Sequence, residues 1–422
     1  MRRRLLAAAA VAVVAVPALI DTVPATADRA HPSVVSDDPA DWTPHVLDGT
    51  VWSLALVGDT VVVGGAFTKV ADSSRRQTYA RKNIFAFGLH DGVIRTFAPQ
   101  VDGAIYSLAA GPDHSVYMGG AFKTVNGAQQ RGLARMSVSD GSRYGSFNAR
   151  VNWGDIRALV SRGERLYAGG TFSAVNGVQR VGLVRLNGET GSVDQGFDAR
   201  LAGPGLKRTR VEHFDVSPDG NRLIAVGAFL RSNGADRTQI AQFDVGGSGA
   251  ILTNWYTDAF KPTCMKGFDT YLRQVKFSPD GSYVVVAATG RASSAQKLCD
   301  SAARFEVRAT GRLNPTWVQR TGGDSLYAVA ITGPAVYLGG HQRWFDNPYG
   351  TDGNGPGPGA VSRPGIGAVN PSTGKALEWN PTRSRGVGVR TFLVTPDGLL
   401  VGSDTDQLGR EFHGRVGLFP LR

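Results

Sequence analysis

Cysteine is nearly absent: Cys264 and Cys299 are the two in 422 residues, and none of the seven histidines stands at a metal-ligand spacing from another. A zinc-clustered fold is thereby excluded. The chain has no GxSxG elbow, no HExxH pair and no phosphate-binding P-loop, which removes the enzyme classes built on them. Helical periodicity is missing too, so the pattern reads as all-β. Beyond Ile20 no stretch approaches the roughly 18 apolar residues of a membrane-spanning helix. Acidic residues are outnumbered, 35 against 46 lysines and arginines. The excess is dispersed, with no Lys/Arg block, so nucleic acid is not an expected partner. A basic chain is drawn instead to anionic partners such as acidic glycans or wall polymers.

Arg2, Arg3 and Arg4 precede an apolar run from Leu5 to Ile20 and then Ala25-Thr26-Ala27. This is the pattern of a signal peptide over 1–27, and its RRxLL start is compatible with twin-arginine export. A retained N-terminal anchor is the alternative; the lack of cysteine near the cleavage site argues against a lipid one. Cleavage would leave 43 basic and 34 acidic residues, a net charge of +9. The expected product is a secreted, extracellular monomer with no membrane span. It has an N-terminal extension at 28–40 and one domain at 41–422.

Within that domain one phrase recurs seven times: VVVGGAF at Val61–Phe67, VYMGGAF at Val116–Phe122, LYAGGTF at Leu166–Phe172, LIAVGAF at Leu223–Phe229, VVVAATG at Val284–Gly290, VYLGGHQ at Val336–Gln342 and LLVGSDT at Leu399–Thr405. The steps between copies are 50 to 63 residues. Strand-like units at this period indicate a seven-bladed β-propeller, in which each blade buries its faces against its neighbours. Each unit carries four strand signals, so four-stranded blades are expected near 51–103, 104–154, 155–210, 211–271, 272–325, 326–386 and 387–422. The fourth strand contributes one aromatic: Phe97, Phe147, Phe197, Trp255, Trp317 and Trp379. The last repeat stops before its own. Trp42-Thr-Pro44 echoes Trp379-Asn-Pro381, so Asp41–Leu47 is expected to complete the seventh blade and close the ring.

The GGxF phrases at Gly64–Phe67, Gly119–Phe122 and Gly169–Phe172, with Asn126-Gly127 and Asn176-Gly177, resemble the delta-60 repeat family. That resemblance implies a secreted bacterial propeller, in some members joined to carbohydrate-associated modules. It carries no settled activity, cofactor or catalytic residue. Copies five to seven lose the phenylalanine, to Gly290, Gln342 and Thr405.

Candidate chemistry sits at three places. The second residue of each inner strand gives Trp52, Tyr106, Arg157, Glu212, Arg273, Tyr327 and Arg390. If these line the central funnel, they suit an anionic sugar, with aromatic faces stacking and arginine forks binding carboxylates; otherwise they pack between blades. The long sixth-blade loop offers His341, Arg343 and Trp344, and across the seam the seventh offers Asp404 and Asp406. These could form a pocket, and the D-x-D pair a weak calcium signal. Arg81, Arg180, Arg237, Arg363 and Arg415 recur before the third strand, as loop-carbonyl donors. Cys264 and Cys299 fall in loops on the same face and are expected to form a disulfide. No cofactor and no metal site is expected. The expectation is thus non-catalytic glycan or wall-polymer binding. A carbohydrate hydrolase or lyase on the same face, with Glu212 and Asp404 or Asp406 as its carboxylate pair, and a protein-interaction scaffold are the alternatives.

Overall fold

The computed structural model describes residues 29–291, 297–349, 355–384 and 386–422. The leader at 1–27 and positions 350–354 of the long loop lie outside the described residues. Among the described residues the elements are β-strands, and no helix is long and apolar enough to cross a membrane.

Every repeat lays down an antiparallel meander. The first runs Thr50–Val57, Thr60–Ala66, Ile84–Gly88, and the second Ile105–Gly111, Ser115–Gly120, Leu133–Ser137. A fourth strand joins the ladder in two sheets, as Ile251–Leu252 and Trp317–Arg320. Elsewhere the fourth segment makes a single bridge, such as Phe87 to Ile94 or Leu186 to Val193. The turn returns the chain for only a residue or two before its aromatic leaves to pack between sheets: Phe97 is buried with Ile84 of its own repeat and Ile105 of the next.

The recurring glycines sit where sheets meet. A Cβ on Gly119 would lie 2.5 Å from Ile156 of the following repeat, and one on Gly402 would lie 2.7 Å from Val51 of the first. The second glycine of the pair faces its own inner strand, where a Cβ on Gly120 would lie 2.1 Å from the Ala104 carbonyl oxygen. Successive inner strands pack on one another, and Thr50–Val57 also lies against Thr391–Thr395. Asn126 and Asn176 take the left-handed backbone of a tight hairpin. Their side-chain oxygens accept the Gln100 and Arg150 amides of the incoming connections at 2.8 and 2.9 Å.

The N-terminal segment departs from expectation in two ways. His45–Val46 pairs with Lys69–Ala71 of the first repeat. The residues that hydrogen-bond to the last strand, Val416–Pro420, lie earlier: Ser36 and Ala40 amides donate to the Pro420 and Leu418 carbonyls at 2.7 and 2.8 Å. The stretch placed outside the domain at 28–40 is therefore, over its described residues, part of it. Val35, 2% exposed, packs with Tyr337, Trp379 and Phe419, and its amide donates to the Tyr337 hydroxyl. An apolar side chain filling the groove between the last two sheets is the physical reason. Trp42 donates its indole N–H to the Leu89 carbonyl at 3.2 Å, as Trp317 does to Pro371 and Trp379 to Ser36. Cys264 and Cys299 are joined as a disulfide and buried.

Candidate functional site

Six inner strands slip register between their first and third residues, at Val51/Ser53, Ile105/Ser107, Ile156/Ala158, Val211/His213, Leu272/Gln274 and Leu326/Ala328. A β-bulge leaves one residue out of the ladder and re-aims its side chain. That residue is the second of each strand: Trp52, Tyr106, Arg157, Glu212, Arg273 and Tyr327. Arg390 stands at the same place ahead of Thr391–Thr395, its amide donating to Gly402. All seven line one cavity of about 390 Å³ and are half-buried rather than packed away between sheets.

Most of this circle is locked to itself. The Arg157 guanidinium lies 4.7 Å over Tyr106, Tyr106 meets Trp52 edge-on at 5.9 Å, and Arg390 lies between Trp52 at 4.7 Å and Tyr327 at 4.4 Å. The chain of cation–π contacts breaks at the fourth and fifth repeats. There Glu212 is drawn aside by Arg210 at 2.6 Å, which also reaches Asp269 at 3.5 Å. Arg273 keeps no hydrogen bond or ion pair of its own among the described residues. Burial lowers the pKa of Arg273 and Arg390 from the usual arginine value, opposed for Arg273 by Glu212 and Tyr327 and for Arg390 by Tyr327 and Asp404. A half-buried guanidinium with no direct hydrogen bond or ion pair, as at Arg273, keeps its donors available to an anionic group.

Deeper in, the wall differs by repeat. Ser53 and Ser107 hydroxyls accept the Leu108 and Leu159 amides at 2.8 Å, pegging one inner strand to the next. In the fourth and fifth repeats those levels hold His213 and Gln274, then Asp215 and Lys276. Asp215 accepts the Phe277 amide at 3.0 Å and pairs with Lys276 at 3.7 Å; Gln274 accepts the Val329 amide. Burial, with Lys276 nearby, holds the His213 pKa well below its ordinary value, and its Nδ1 has no partner. Sequence reasoning missed Arg210, Asp269, His213, Gln274 and Lys276. For His213, Gln274 and Lys276 the signal was the third and fifth positions of the same inner strands, polar here and small or apolar elsewhere; Arg210 and Asp269 lie outside those positions.

The other candidates serve the fold. Arg343 is held by Asp324 at 2.8 Å and lies over Trp344 at 4.5 Å. Asp404 accepts the Val387 and Gly388 amides at 2.8 and 2.9 Å, while His341 Nδ1 contacts the Gly386 carbonyl at 2.7 Å. His341 and Asp404 thus grip one connecting segment, with Arg343 committed to Asp324 and Asp406 exposed. Among the described residues the polar atoms of His341, Arg343 and Asp404 are engaged with backbone and with Asp324. No group of three or more His, Cys, Asp or Glu side chains gathers among the described residues, which leaves the D-x-D calcium signal without a ligand set. The recurring arginines bind loop carbonyls, as Arg180 does at Phe197 and Gln195, 2.7 and 2.9 Å, and Arg415 at Gly49 and Val46, 2.9 and 3.0 Å.

Repeated meanders packed around a lined central cavity define a β-propeller. Residues 165–197 match a family model described as a domain of unknown function (DUF5122) beta-propeller. The WD40 beta propeller domain of Doa1 aligns with a TM-score of 0.51 at 10% identity, over 92% of this chain and 98% of that one. The computationally designed Ika8 protein aligns with a TM-score of 0.49 at 12% identity, over 92% of this chain and 100% of that one. No curated protein matches the chain.

Proposed function

We propose that this is a secreted, non-catalytic seven-bladed propeller of the delta-60 type that binds an extracellular glycan or cell-wall polymer at its central cavity. The carrying observation is the half-buried circle of three arginines and three aromatics in which Arg273, near Glu212, makes no direct hydrogen bond or ion pair among the described residues. Aromatic faces stack on sugar rings, and guanidinium forks take carboxylates. Loops that enter the inner strands carry exposed aromatics, Trp153, 37% exposed beneath Arg208 at 4.3 Å, and Phe268, 43% exposed. The blade count rests on the seven meanders, and closure of the ring on Val51 against Gly402 and on the Ser36 and Ala40 bonds to the last strand. A buried disulfide is compatible with export.

The enzyme alternative gains no support from this cavity. A glycosidase needs two facing carboxylates, and Glu212 is the single one among the described lining residues. A glycan array and a wall pull-down test the proposal. Binding should appear with the native chain and fall about tenfold or more with Arg273→Ala and with Trp52→Ala, while Trp344→Ala leaves it unchanged. Binding that ignores all three substitutions would remove the cavity from the function.

A further inference from the structure

The circle at the mouth is asymmetric, and so is the wall beneath it. At the third position of the inner strands, five repeats carry Ser53, Ser107, Ala158, Ala328 and Thr391, whereas the fourth and fifth carry His213 and Gln274. At the fifth position, the fourth and fifth carry Asp215 and Lys276 in place of small or apolar residues. Because the bulge turns two successive residues inward, Arg273, Gln274 and Lys276 descend the cavity wall on one strand, beside Glu212 and His213 on its neighbour. This polar staircase begins where the cation–π chain is broken. Packing alone does not account for it. Asp215 and Gln274 peg the next strand, but one Asp215 oxygen and His213 Nδ1 lack a hydrogen bond. Lys276 lines the cavity, meets Asp215 only at 3.7 Å and makes no side-chain hydrogen bond among the described residues.

Inner strands of all seven repeats line the space, and apolar Leu54, Ile331 and Val394 are among the lining residues. At about 390 Å³ it sits at the small end of ligand sites, roughly 300–1,000 Å³. A polymer can therefore present an end to it, but not a middle. We infer that the fourth- and fifth-repeat wall is a specificity station that takes the end residue of an acidic glycan, with the carboxylate of a terminal hexuronic acid held between Arg273 and Lys276. The planar carboxylate matches the Arg273 fork. Gln274 and His213 face the ring hydroxyls, and the aromatic side of the circle receives the apolar face of the sugar. This inference rests on the glycan-binding reading and narrows it to end-on recognition of an acid.

Titration calorimetry on the full chain tests it with galacturonate and glucuronate trisaccharides, their carboxyl-reduced counterparts, and a trisaccharide sulfated at its end. The native protein should bind a uronate-ended sugar at least about tenfold more tightly than its reduced form. Arg273→Gln should erase that preference. So should the pair Asp215→Asn with Lys276→Met, which removes both charges together and leaves no buried ion alone; a retained melting transition shows that each variant is folded. Equal affinity for acidic and reduced sugars, lost in Trp52→Ala but indifferent to Lys276, would overturn the station and leave the glycan reading standing. Preference for the sulfated end would overturn the carboxylate assignment. Failure of every trisaccharide to bind would overturn both.

Discussion

At Gly402 an added methyl would fall 2.7 Å from a Val51 methyl, and at Gly119 an added one would fall 2.5 Å from Ile156. Neither neighbour can retreat, since both valine and isoleucine are fully buried against a second sheet. Gly119→Ala and Gly402→Ala are each expected to cost about 1–3 kcal/mol by overpacking, read from denaturant midpoints at unchanged slope. Acid acts on other single residues. Burial is the largest cause of the lowered pKa at His31, His45 and His213, each below the ordinary 6.5. The unfolded chain then binds more protons than the folded one just below that value. Stability is full above pH 6.5 and drains as the pH falls. Melting temperature should decline in that direction, less steeply in His31→Gln; a flat profile would contradict the assignment. At this scale the mouth residues were legible because they share one position in a repeat. His213, Gln274 and Lys276 were not, because a bulge breaks the alternation from which inward-facing positions are read.

The strand meanders follow from the repeated phrase, and the hairpin between second and third strands from Val-Asn-Gly, whose asparagine supplies both the left-handed turn and a hydrogen bond to the previous repeat. Harder to foresee was how short the fourth segment is, since its aromatic pattern says where it packs but not how long it stays paired. The connection holding Cys264 is irregular, and there the disulfide replaces the regular pairing. Its sulfurs are enclosed, and Gly290, where phenylalanine stands in the regular copies, leaves room for them: a Cβ there would lie 2.8 Å from that of Cys264. In the fifth copy the loss of the aromatic is thus a packing accommodation. Cys264→Ser with Cys299→Ser should lower stability by about 3–4 kcal/mol on the chain-entropy account of its 35-residue separation. Calorimetry with and without reductant measures it.

For the whole molecule, the two ends of the chain hold one another. His31 reaches the Thr395 carbonyl at 2.9 Å, Trp379 the Ser36 carbonyl at 2.8 Å, and Ala40 the Leu418 carbonyl at 2.8 Å. The echo of Trp379 in Trp42 pointed to the right end of the chain but to the wrong residues, since Ser36 and Ala40 bond the last strand while His45–Val46 pairs with the first repeat. Residues 29–40 escaped notice because they carry no repeat phrase, only isolated apolar anchors, Val35 with Val34 and Ala40. Ala40→Pro removes one donor from the sheet and should cost about 1–3 kcal/mol, seen as a lower melting temperature.

Arg422 and Asp37 form an ion pair at the outer edge of this junction, so the last residue lies beside the N-terminal segment. The order in which the repeats are translated is then a matter of bookkeeping rather than of architecture. A gene rearranged to begin at Ala235, after the exposed Asn233-Gly234 turn, with a short Gly/Ser bridge from Arg422 to Arg29, should yield the same molecule with its new opening in a hairpin that carries no cavity residue.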